Sequence, residues 1–451
     1  MKKNEEYIVD IIDNGYEGEG IGKIDNFTIF IPGAIKGEKI KVLIVKVATS
    51  YAFGKILEII ESSKDRVGSL DCSTYKRCGG CNLRHMNYEK TLELKRDIVQ
   101  NLVNKNLKID LQVKETIGME NPFNYRNKAQ YPVGINKEGK PIIGVFANRT
   151  HEVIEINECM IQNKESEKIA KYICEFADKN NISVYDEKTG KGLLRHIVIK
   201  VGVKTNEIMC VLVLNGKEIN NQLKLIEELL SNFPNIKTIV KNINTKNTNV
   251  ILGKENITIY GEGYIYDKLG DYTFKISPLS FYQINPVQTE KLYNLALEKS
   301  ELTGKETLLD LYCGIGTIGI FMAKKAKQVY GIEIVEDAIE DAKENCKINN
   351  IVNAKYYAGD TEKLLADIIE KENIIPDVIV VDPPRKGLDK TTIENIKNIQ
   401  AKKVIYISCN PATLVRDLTC LVENYEIQEI QPVDMFPFTS HVECVAVLKL
   451  K

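Results

Sequence analysis

The stretch that decides the fold class is Thr307–Gly319, TLLDLYCGIGTIG, in a chain of 451 residues. Its apolar start predicts a buried strand, and the glycines that follow lead into a helical pattern. This order is typical of a βαβ unit whose glycines let the backbone approach a nucleoside-bearing ligand at the helix start. From about residue 271 the chain keeps alternating strand and helix patterns, which predicts an α/β domain built on a doubly wound sheet.

Acidic residues follow three further predicted strands at the same edge of that sheet. Glu333 ends the second strand pattern, where these folds bind ribose hydroxyls, and Asp360 follows the third, where we expect the adenine edge. Asp382 follows the fourth strand in DPPRKG, and the two prolines force a rigid, extended rim that projects this side chain into the cleft. Together with Gly314, these residues form the predicted cofactor site.

The glycine spacing leaves two ligand classes open. G-x-G-x-x-G also occurs in dinucleotide dehydrogenases. In contrast, D-x-x-C-G-x-G, with Asp310 before the glycines, resembles the loop that binds S-adenosylmethionine (SAM). The DPPR rim resembles the N-P-P-Y rim of amino-group methyltransferases, with Asp and Arg in place of Asn and Tyr. We therefore expect a methyltransferase.

A candidate nucleophile lies in Lys402–Asp417, KKVIYISCNPATLVRD. Cys409 falls between a predicted buried strand and a helix, at the edge where these sheets bind ligands and where a helix N-terminus favours the thiolate. An isolated Cys is more often a buried structural residue. The last strand is predicted to begin at His441-Val442-Glu443, which places His441 and Glu443 on one face and Glu443 near Cys409.

A nucleophile and a base beside a SAM loop indicate one particular chemistry. Nitrogen and oxygen acceptors carry a lone pair and need no enzyme thiolate, whereas pyrimidine C5 has none. Addition of a thiolate to C6 makes C5 nucleophilic, and a base must afterwards remove the C5 proton so that the thiol can leave. An amino-group methyltransferase or a non-catalytic RNA-binding or iron–sulfur scaffold would leave the pair of Cys409 and Glu443 unexplained.

Three cysteines within ten residues indicate a soft-metal site, Cys72-x5-Cys78-x2-Cys81. Cys159 is the best candidate for a fourth ligand, because Cys174 and Cys210 lie in apolar periodic runs. Four thiolates fit either zinc or an iron–sulfur cluster. Zinc sites favour two C-x2-C pairs, so the spacing favours a [4Fe-4S] cluster. The x5 interval argues against the C-x3-C-x2-C pattern of radical-SAM enzymes.

The first 61 residues predict a small β-barrel, because five short strand patterns are separated by glycine-rich turns. A basic run contains lysines at positions 36, 39, 41, 46 and 55 against one acid, Glu38, with Tyr51 and Phe53 among them. Basic residues interleaved with aromatic ones are typical of oligonucleotide-binding barrels. The formal net charge of the whole chain is −1, so any charge that binds RNA must be local.

The composition indicates a cytoplasmic protein without a membrane partner. No apolar run approaches the roughly 18 residues of a membrane span, and the start, MKKNEEYIVDIID, lacks the apolar region of a secretory signal. We therefore expect the 11 cysteines to be thiols, metal ligands or catalysts rather than disulfides.

Taken together, these motifs resemble one family. GYEGEGIGKIDNFTIFIPGAIKGE, residues 15–38, resembles the TRAM domain, an RNA-binding barrel. Nearly the whole chain resembles the bacterial RNA uracil-5-methyltransferases of the RumA/RlmD/RlmCD type. Besides the barrel, the motifs that carry this resemblance are the cysteine set, FYQIN, DLYCGIGT, DPPRKGL, SCNPATLVRD and HVE. The tRNA branch of that family is expected to lack the barrel and the cysteine cluster. Phe438 stands where relatives often carry His, which removes any role for that His.

The resemblance implies SAM-dependent 5-methylation of uridine in 23S rRNA and a [4Fe-4S] cluster. It assigns Cys409 as the nucleophile and Glu443 as the proton acceptor. It also implies that SAM or the target base is contacted by Gln283, Tyr312, Glu333 and Asp382.

The predicted architecture is α/β with three domains in a monomer. Residues 1–61 form an OB-like TRAM barrel, residues 62–270 a central α+β iron–sulfur and RNA-binding domain, and residues 271–451 a seven-stranded, Rossmann-like SAM methyltransferase domain. In the central domain, the NYRNK turn around Arg126 is either a phosphate contact or ordinary surface.

Overall fold

The N-terminal barrel is present in the computed structural model, which describes residues 1–147 and 150–451. Every second residue of its strands points inward, so that Val9, Ile11, Ile29 and Ile31 form its core. Its closed sheet has the order β1-β2-β3-β5-β4 and consists of β1 (Glu6–Asn14), β2 (Gly20–Ile24), β3 (Phe27–Ile31), β4 (Lys39–Val47) and β5 (Tyr51–Glu61).

The middle of the chain forms a second sheet with two buried faces. Along β9 and β10 the residues alternate between two cores, because Ile197 and Cys210 pack under helices while Val198 and Val211 face the C-terminal part of the chain. The elements here are α1 (Tyr88–Asn106), β6 (Lys128–Ile135), β7 (Pro141–Phe146), β8 (Val153–Glu155), α2 (Lys164–Lys179), β9 (Leu194–Val201), β10 (Ile208–Leu214), α3 (Gln222–Asn232), β11 (Ile236–Ile243) and β12 (Glu255–Tyr260). The sheet order is β12-β11-β10-β9-β6-β7-β8.

A two-stranded hairpin, β13 (Ile265–Leu269) and β14 (Tyr272–Ile276), leads into the C-terminal α/β unit. That unit comprises α4 (Pro286–Ser300), β15 (Thr307–Leu311), α5 (Thr317–Ala323), β16 (Gln328–Glu333), α6 (Glu336–Ile348), β17 (Ala354–Ala358), α7 (Thr361–Lys371), β18 (Val378–Val381), α8 (Lys390–Ile399), β19 (Lys403–Ser408), α9 (Pro411–Leu421), β20 (Tyr425–Val433) and β21 (Glu443–Leu450).

The C-terminal sheet has the order β17-β16-β15-β18-β19-β21-β20. Strands β15 to β19 are parallel to one another, and β21 is inserted antiparallel between β19 and β20. The strand order reverses beside β15, where the chain continues to β16 on one side and later returns as β18 on the other. Such a reversal opens a crevice at the carboxyl ends of the strands, which is where doubly wound sheets bind ligands.

Helix α1 packs on the C-terminal unit, although it precedes the whole central sheet. Val99 and Val103 lie in the core that also contains β18 and β19. Fully buried Lys95 forms an ion pair with fully buried Asp434, which also accepts a hydrogen bond from the Tyr88 hydroxyl at 2.7 Å. This network ties α1 to the segment that leads into β21. In the described ranges, no helix combines the length and the apolar character that a membrane span requires.

Candidate active site

The glycine turn after β15 encloses a buried carboxyl. Asp310 is fully buried; its Oδ2 accepts from the Gly319 amide at 2.8 Å, and its Oδ1 has no hydrogen-bond partner among the residues that the structure describes. Burial raises the pKa of Asp310 to about 8. A Cβ at Gly319 would lie 2.7 Å from the Tyr356 hydroxyl, so this helix start requires glycine. Asp310 therefore lies against the backbone of the turn, at the start of the helix that follows it.

Glu333 faces the same turn from the end of β16. Its carboxylate accepts from the Gly314 amide at 3.1 Å and from the Val335 amide at 3.0 Å. Gly314 has φ +53°, and a Cβ added there would meet nothing within 4 Å. The backbone of the turn thus leaves an open cradle beside a fixed carboxylate, which is the arrangement expected at a nucleoside site.

Two other predicted cofactor residues, Asp360 and Gln283, are held by contacts with different parts of the chain. Asp360 follows Gly359, whose amide donates to the Glu333 backbone oxygen at 2.8 Å, and its side chain caps α7 by accepting from the Glu362 amide at 3.2 Å. Half-buried Gln283 is held through its backbone oxygen, which accepts from Asn127 Nδ2 at 2.9 Å. Asp360 is therefore adjacent to Glu333, as the strand order predicts.

Tyr312 has a strained backbone, with φ +65°, a conformation that costs a non-glycine residue about 1–3 kcal/mol. Its hydroxyl lies 3.4 Å from both Asp389 Oδ2 and Thr392 Oγ1 at the start of α8. These contacts hold the hydroxyl on α8, and the ring is half-buried.

Cys409 and Glu443 are brought together by the register of two strands. Ser408 of β19 pairs with Cys444 of β21, so the residues next to that pair, Cys409 and Glu443, lie across from each other. Cys409 is half-buried, whereas Glu443 is only 3% exposed. Asp382, at the end of β18, completes a group of acidic side chains around the thiol.

Burial and neighbouring charges shift the pKa values of this group. Burial raises the pKa of Glu443 well above its usual range, and the nearby Asp382 adds to that rise while Arg385 opposes it. Burial likewise raises the pKa of Asp382. Two carboxyls close together in a dry site favour a shared proton, and a cation entering the cleft would favour their ionised forms.

Cys409 differs from the sequence prediction in its electrostatics. It precedes α9, as expected, but burial raises the pKa of its thiol to about 11, and Glu443 and Asp382 contribute to the rise. Arg385 is the group that opposes them. Desolvation and two neighbouring acids therefore act against the effect expected from the helix N-terminus.

Sequence reasoning missed the residues that hold the Cys409 loop. Asn410 Oδ1 accepts from the Ala412 amide at 3.1 Å and caps α9, while its Nδ2 donates to the Arg385 backbone oxygen at 3.0 Å. The DPPR rim and the nucleophile loop are thus joined. Asn before Pro at a helix start is a capping signal, so the cap was detectable, but its contact with Arg385 was not.

The four predicted metal-binding cysteines line one cavity of about 230 Å³. They are Cys72, Cys78, Cys81 and Cys159. Burial raises the pKa of Cys81 to about 12, with added contributions from Cys159 and Cys78, so these thiols lie near one another. Over residues 1–147 and 150–451, however, no group of three or more His, Cys, Asp or Glu side chains is placed so that it could hold a metal ion.

Arg126 and Lys128 also line this cavity, and Asn127 is buried against Gln283. Arg126 and Lys128 are half-buried whereas Asn127 is buried, so the NYRNK turn is only partly at the surface, and a phosphate contact of Arg126 stays a prediction.

Acidic side chains offset part of the positive charge of the basic run of the barrel. Lys36, Lys39 and Lys41 are paired with Asp13, Glu61 and Glu6, which come from other strands. On the outer face, Phe30, Tyr51 and Phe53 form a three-ring cluster with centroids 5.6 to 5.9 Å apart. The barrel therefore presents an aromatic surface. Lys46 of β4 lies beside it, because Lys46 is the register partner of Phe53 on β5.

Comparisons with known proteins agree with this description. The family model "tRNA (Uracil-5-)-methyltransferase" matches residues 87–451, and the TRAM domain model matches residues 2–57. An uncharacterized RNA methyltransferase of Clostridium acetobutylicum is 48% identical over 453 residues, covering 100% of this chain and 98% of that protein. Another from Staphylococcus aureus strain MSSA476 is 45% identical over 452 residues, covering 100% and 99%.

Among solved structures, the Pyrococcus abyssi tRNA (uracil-54, C5)-methyltransferase in complex with S-adenosyl-L-homocysteine is similar with a TM-score of 0.79 and 28% identity. The match covers 98% of this chain and 100% of that chain, so it includes the barrel. The expectation that tRNA enzymes lack the barrel is wrong for this relative. With matches that span nearly its full length, the chain belongs to the tRNA (uracil-5-)-methyltransferase family of RNA methyltransferases and carries a TRAM domain at its N-terminus.

Proposed function

We propose that this protein methylates C5 of uridine in RNA, with SAM as the methyl donor and 23S rRNA as the substrate. The observation that carries the proposal is the position of the Cys409 thiol across from the buried Glu443 carboxyl, at the ligand-binding edge of the sheet. Methyl transfer to nitrogen or oxygen requires no such pair. Transfer to a pyrimidine C5 requires both a nucleophile and a base.

Cys409 and Glu443 act one after the other in the reaction. The Cys409 thiolate forms a bond to C6 of uracil, and the electrons of the C5–C6 double bond move towards O4, which makes C5 nucleophilic. When bound, SAM supplies an electrophilic methyl group, which C5 accepts. Glu443 then takes the C5 proton, the double bond re-forms, and the thiolate of Cys409 leaves. Asp382 and Arg385 set the charge around both groups.

The cleft suits SAM because it combines an open backbone cradle with acidic groups. Gly314 leaves space beside the Glu333 carboxylate, which we assign to the ribose hydroxyls. Asp360 is assigned to the adenine edge, and Gln283 and Tyr312 to contacts with SAM or the target base. The buried Asp310 of β15 and the half-buried Asp382 directly after β18 lie on neighbouring strands at the same edge of the sheet, and a cationic ligand would stabilise their ionised forms.

The cysteine spacing favours a [4Fe-4S] cluster over a single zinc ion, because zinc sites favour two C-x2-C pairs and this chain has one pair, an offset Cys and a distant Cys. The described side chains form no metal-binding group as they are placed, so the structural support is that the four thiols line one cavity. Cys81 and Cys159 pack beside Phe438, in the segment that leads to Glu443. The cluster would therefore be structural and would hold that segment in place, since methyl transfer needs no electron.

We expect anaerobically purified protein to be brown and to contain about four iron atoms per chain. Cys78→Ser should remove the colour and most of the iron, because the cluster loses a thiolate ligand. Cys174→Ser is the matched control, since this residue lies on the buried face of α2 and does not line the cavity. Stoichiometric zinc without visible absorbance would contradict the cluster.

The substrate is tested by supplying both candidate RNAs. With SAM, the purified protein should form 5-methyluridine in 23S rRNA transcripts and none in tRNA transcripts, as measured by nucleoside mass spectrometry. The proposal of rRNA rests on the sequence motifs, and the match to a tRNA enzyme makes the tRNA arm necessary. Methylation of tRNA alone would contradict the substrate, and a methylated base other than 5-methyluridine would contradict the chemistry.

A further inference from the structure

The β1–β2 turn of the barrel, residues 15–19, contacts both sides of the candidate active site. On one side, the Tyr16 hydroxyl donates to Asn410 Oδ1 at 3.2 Å, directly after the nucleophile. On the other side, Asn82 Nδ2 donates to the Glu17 backbone oxygen at 2.6 Å and to Ser440 Oγ at 2.9 Å, close to Glu443. The turn therefore joins the loop of the nucleophile to the segment of the base.

Packing holds this turn against the rest of the protein. Gly18 has φ +83°, and a Cβ added there would lie 2.2 Å from Leu83 Cδ2. The Leu83 amide in turn donates to the Phe438 backbone oxygen at 3.0 Å. The barrel is therefore fixed to the rest of the protein at this turn. Gly18 packs on Leu83, and Leu83 is hydrogen-bonded to the segment that precedes Glu443.

The ring of Tyr16 remains available to a ligand. Although its hydroxyl is hydrogen-bonded, the residue is 47% exposed. Partial burial raises the pKa of Tyr16, so its hydroxyl stays protonated and can donate to Asn410. An open aromatic face beside the nucleophile is a surface on which a nucleobase can stack.

A uracil in a helix hides its C5 and C6 within the base stack, so it must be extruded before Cys409 can reach it. Extrusion loses stacking, which an aromatic side chain at the pocket can replace. We infer that Tyr16 is a positioning residue that stacks on the RNA base at the mouth of the pocket and holds the uridine over Cys409. This inference rests on the proposed function and gives the barrel a part in the catalytic step, beyond binding flanking RNA.

The test measures the rate of the covalent adduct in the full-length protein. RNA carrying 5-fluorouridine at the target position should trap the wild type with SAM, because no base can abstract fluorine as a cation. At saturating RNA, Tyr16→Ala should form this adduct on the order of ten-fold more slowly, since the extruded base loses its stacking partner. Tyr16→Phe keeps the ring and should remain within about three-fold of the wild type.

Tyr260→Ala is the matched control, because Tyr260 is an exposed tyrosine on the edge strand β12; its adduct rate should equal that of the wild type. Binding of S-adenosyl-L-homocysteine and the melting temperature should be the same in all variants. If Tyr16→Ala forms the adduct at the wild-type rate, or loses only RNA affinity with an unchanged rate at saturation, the inference is wrong. If the wild type itself forms no adduct, the proposed function fails instead.

Discussion

Cys409→Ala is expected to abolish both methylation and the covalent complex with RNA, while SAM still binds with wild-type affinity. Without the thiolate no bond to C6 can form, so C5 never becomes nucleophilic and the reaction stops before its first step. The substitution lies at the end of β19, outside the glycine cradle at Gly314 that we assign to SAM. Turnover should fall to background in a methyl-incorporation assay, and calorimetry with S-adenosyl-L-homocysteine measures the retained binding.

Cys420→Ala provides the matched control, because Cys420 is an exposed cysteine on α9, the helix that follows the nucleophile. It should leave activity unchanged. Methylation by Cys409→Ala at a rate near that of the wild type would show that the thiol is not the nucleophile. Loss of SAM binding together with activity would instead indicate a structural role for Cys409.

The parts of this site that the sequence predicts are those determined locally. A glycine turn after an apolar strand, an acid at a strand end and a proline-fixed rim each depend on a few neighbouring residues, and Gly314, Glu333 and Asp382 lie where these patterns place them. The pair of Cys409 and Glu443 was also predictable, because a strand end and the alternation of a β-strand limit where side chains can point.

The parts that the sequence does not predict depend on contacts between distant segments. Lys36, Lys39 and Lys41 look like a basic surface until other strands of the barrel bring acids to them. The raised pKa of Cys409 depends on burial and on carboxyls from two other strands. Likewise, the contact of Tyr16 with Asn410 joins residues 394 positions apart, which no local pattern encodes.

One local prediction was wrong in a way that bears on the base. The last strand was expected to begin at His441, so that His441 and Glu443 would share a face. In the structure β21 begins at Glu443, and His441 is exposed in the preceding loop, with its ring 6.1 Å from that of Phe436. Glu443 thus stays inside the sheet beside Cys409, while His441 does not.

Glu443→Gln is expected to stop the reaction after methyl transfer rather than before it. The thiolate of Cys409 can still add to C6 and C5 can still take the methyl group, but without the carboxylate the C5 proton remains and the thiol cannot leave. A methylated enzyme–RNA adduct should therefore accumulate and survive a denaturing gel. Release of product should fall by about 10²–10⁴-fold, the usual contribution of a general base.

The amide is a suitable replacement because Glu443 is buried and its pKa is raised, so glutamine matches the shape of the protonated acid and adds no charge to a dry site. Glu426→Gln, at an exposed position of β20 in the same hairpin, should behave as wild type. Full activity of Glu443→Gln, or a stall without any adduct, would mean that Glu443 is not the base. His441 would then be the next candidate, and the loop that holds it would have to close over the site, since the ring is exposed in this structure.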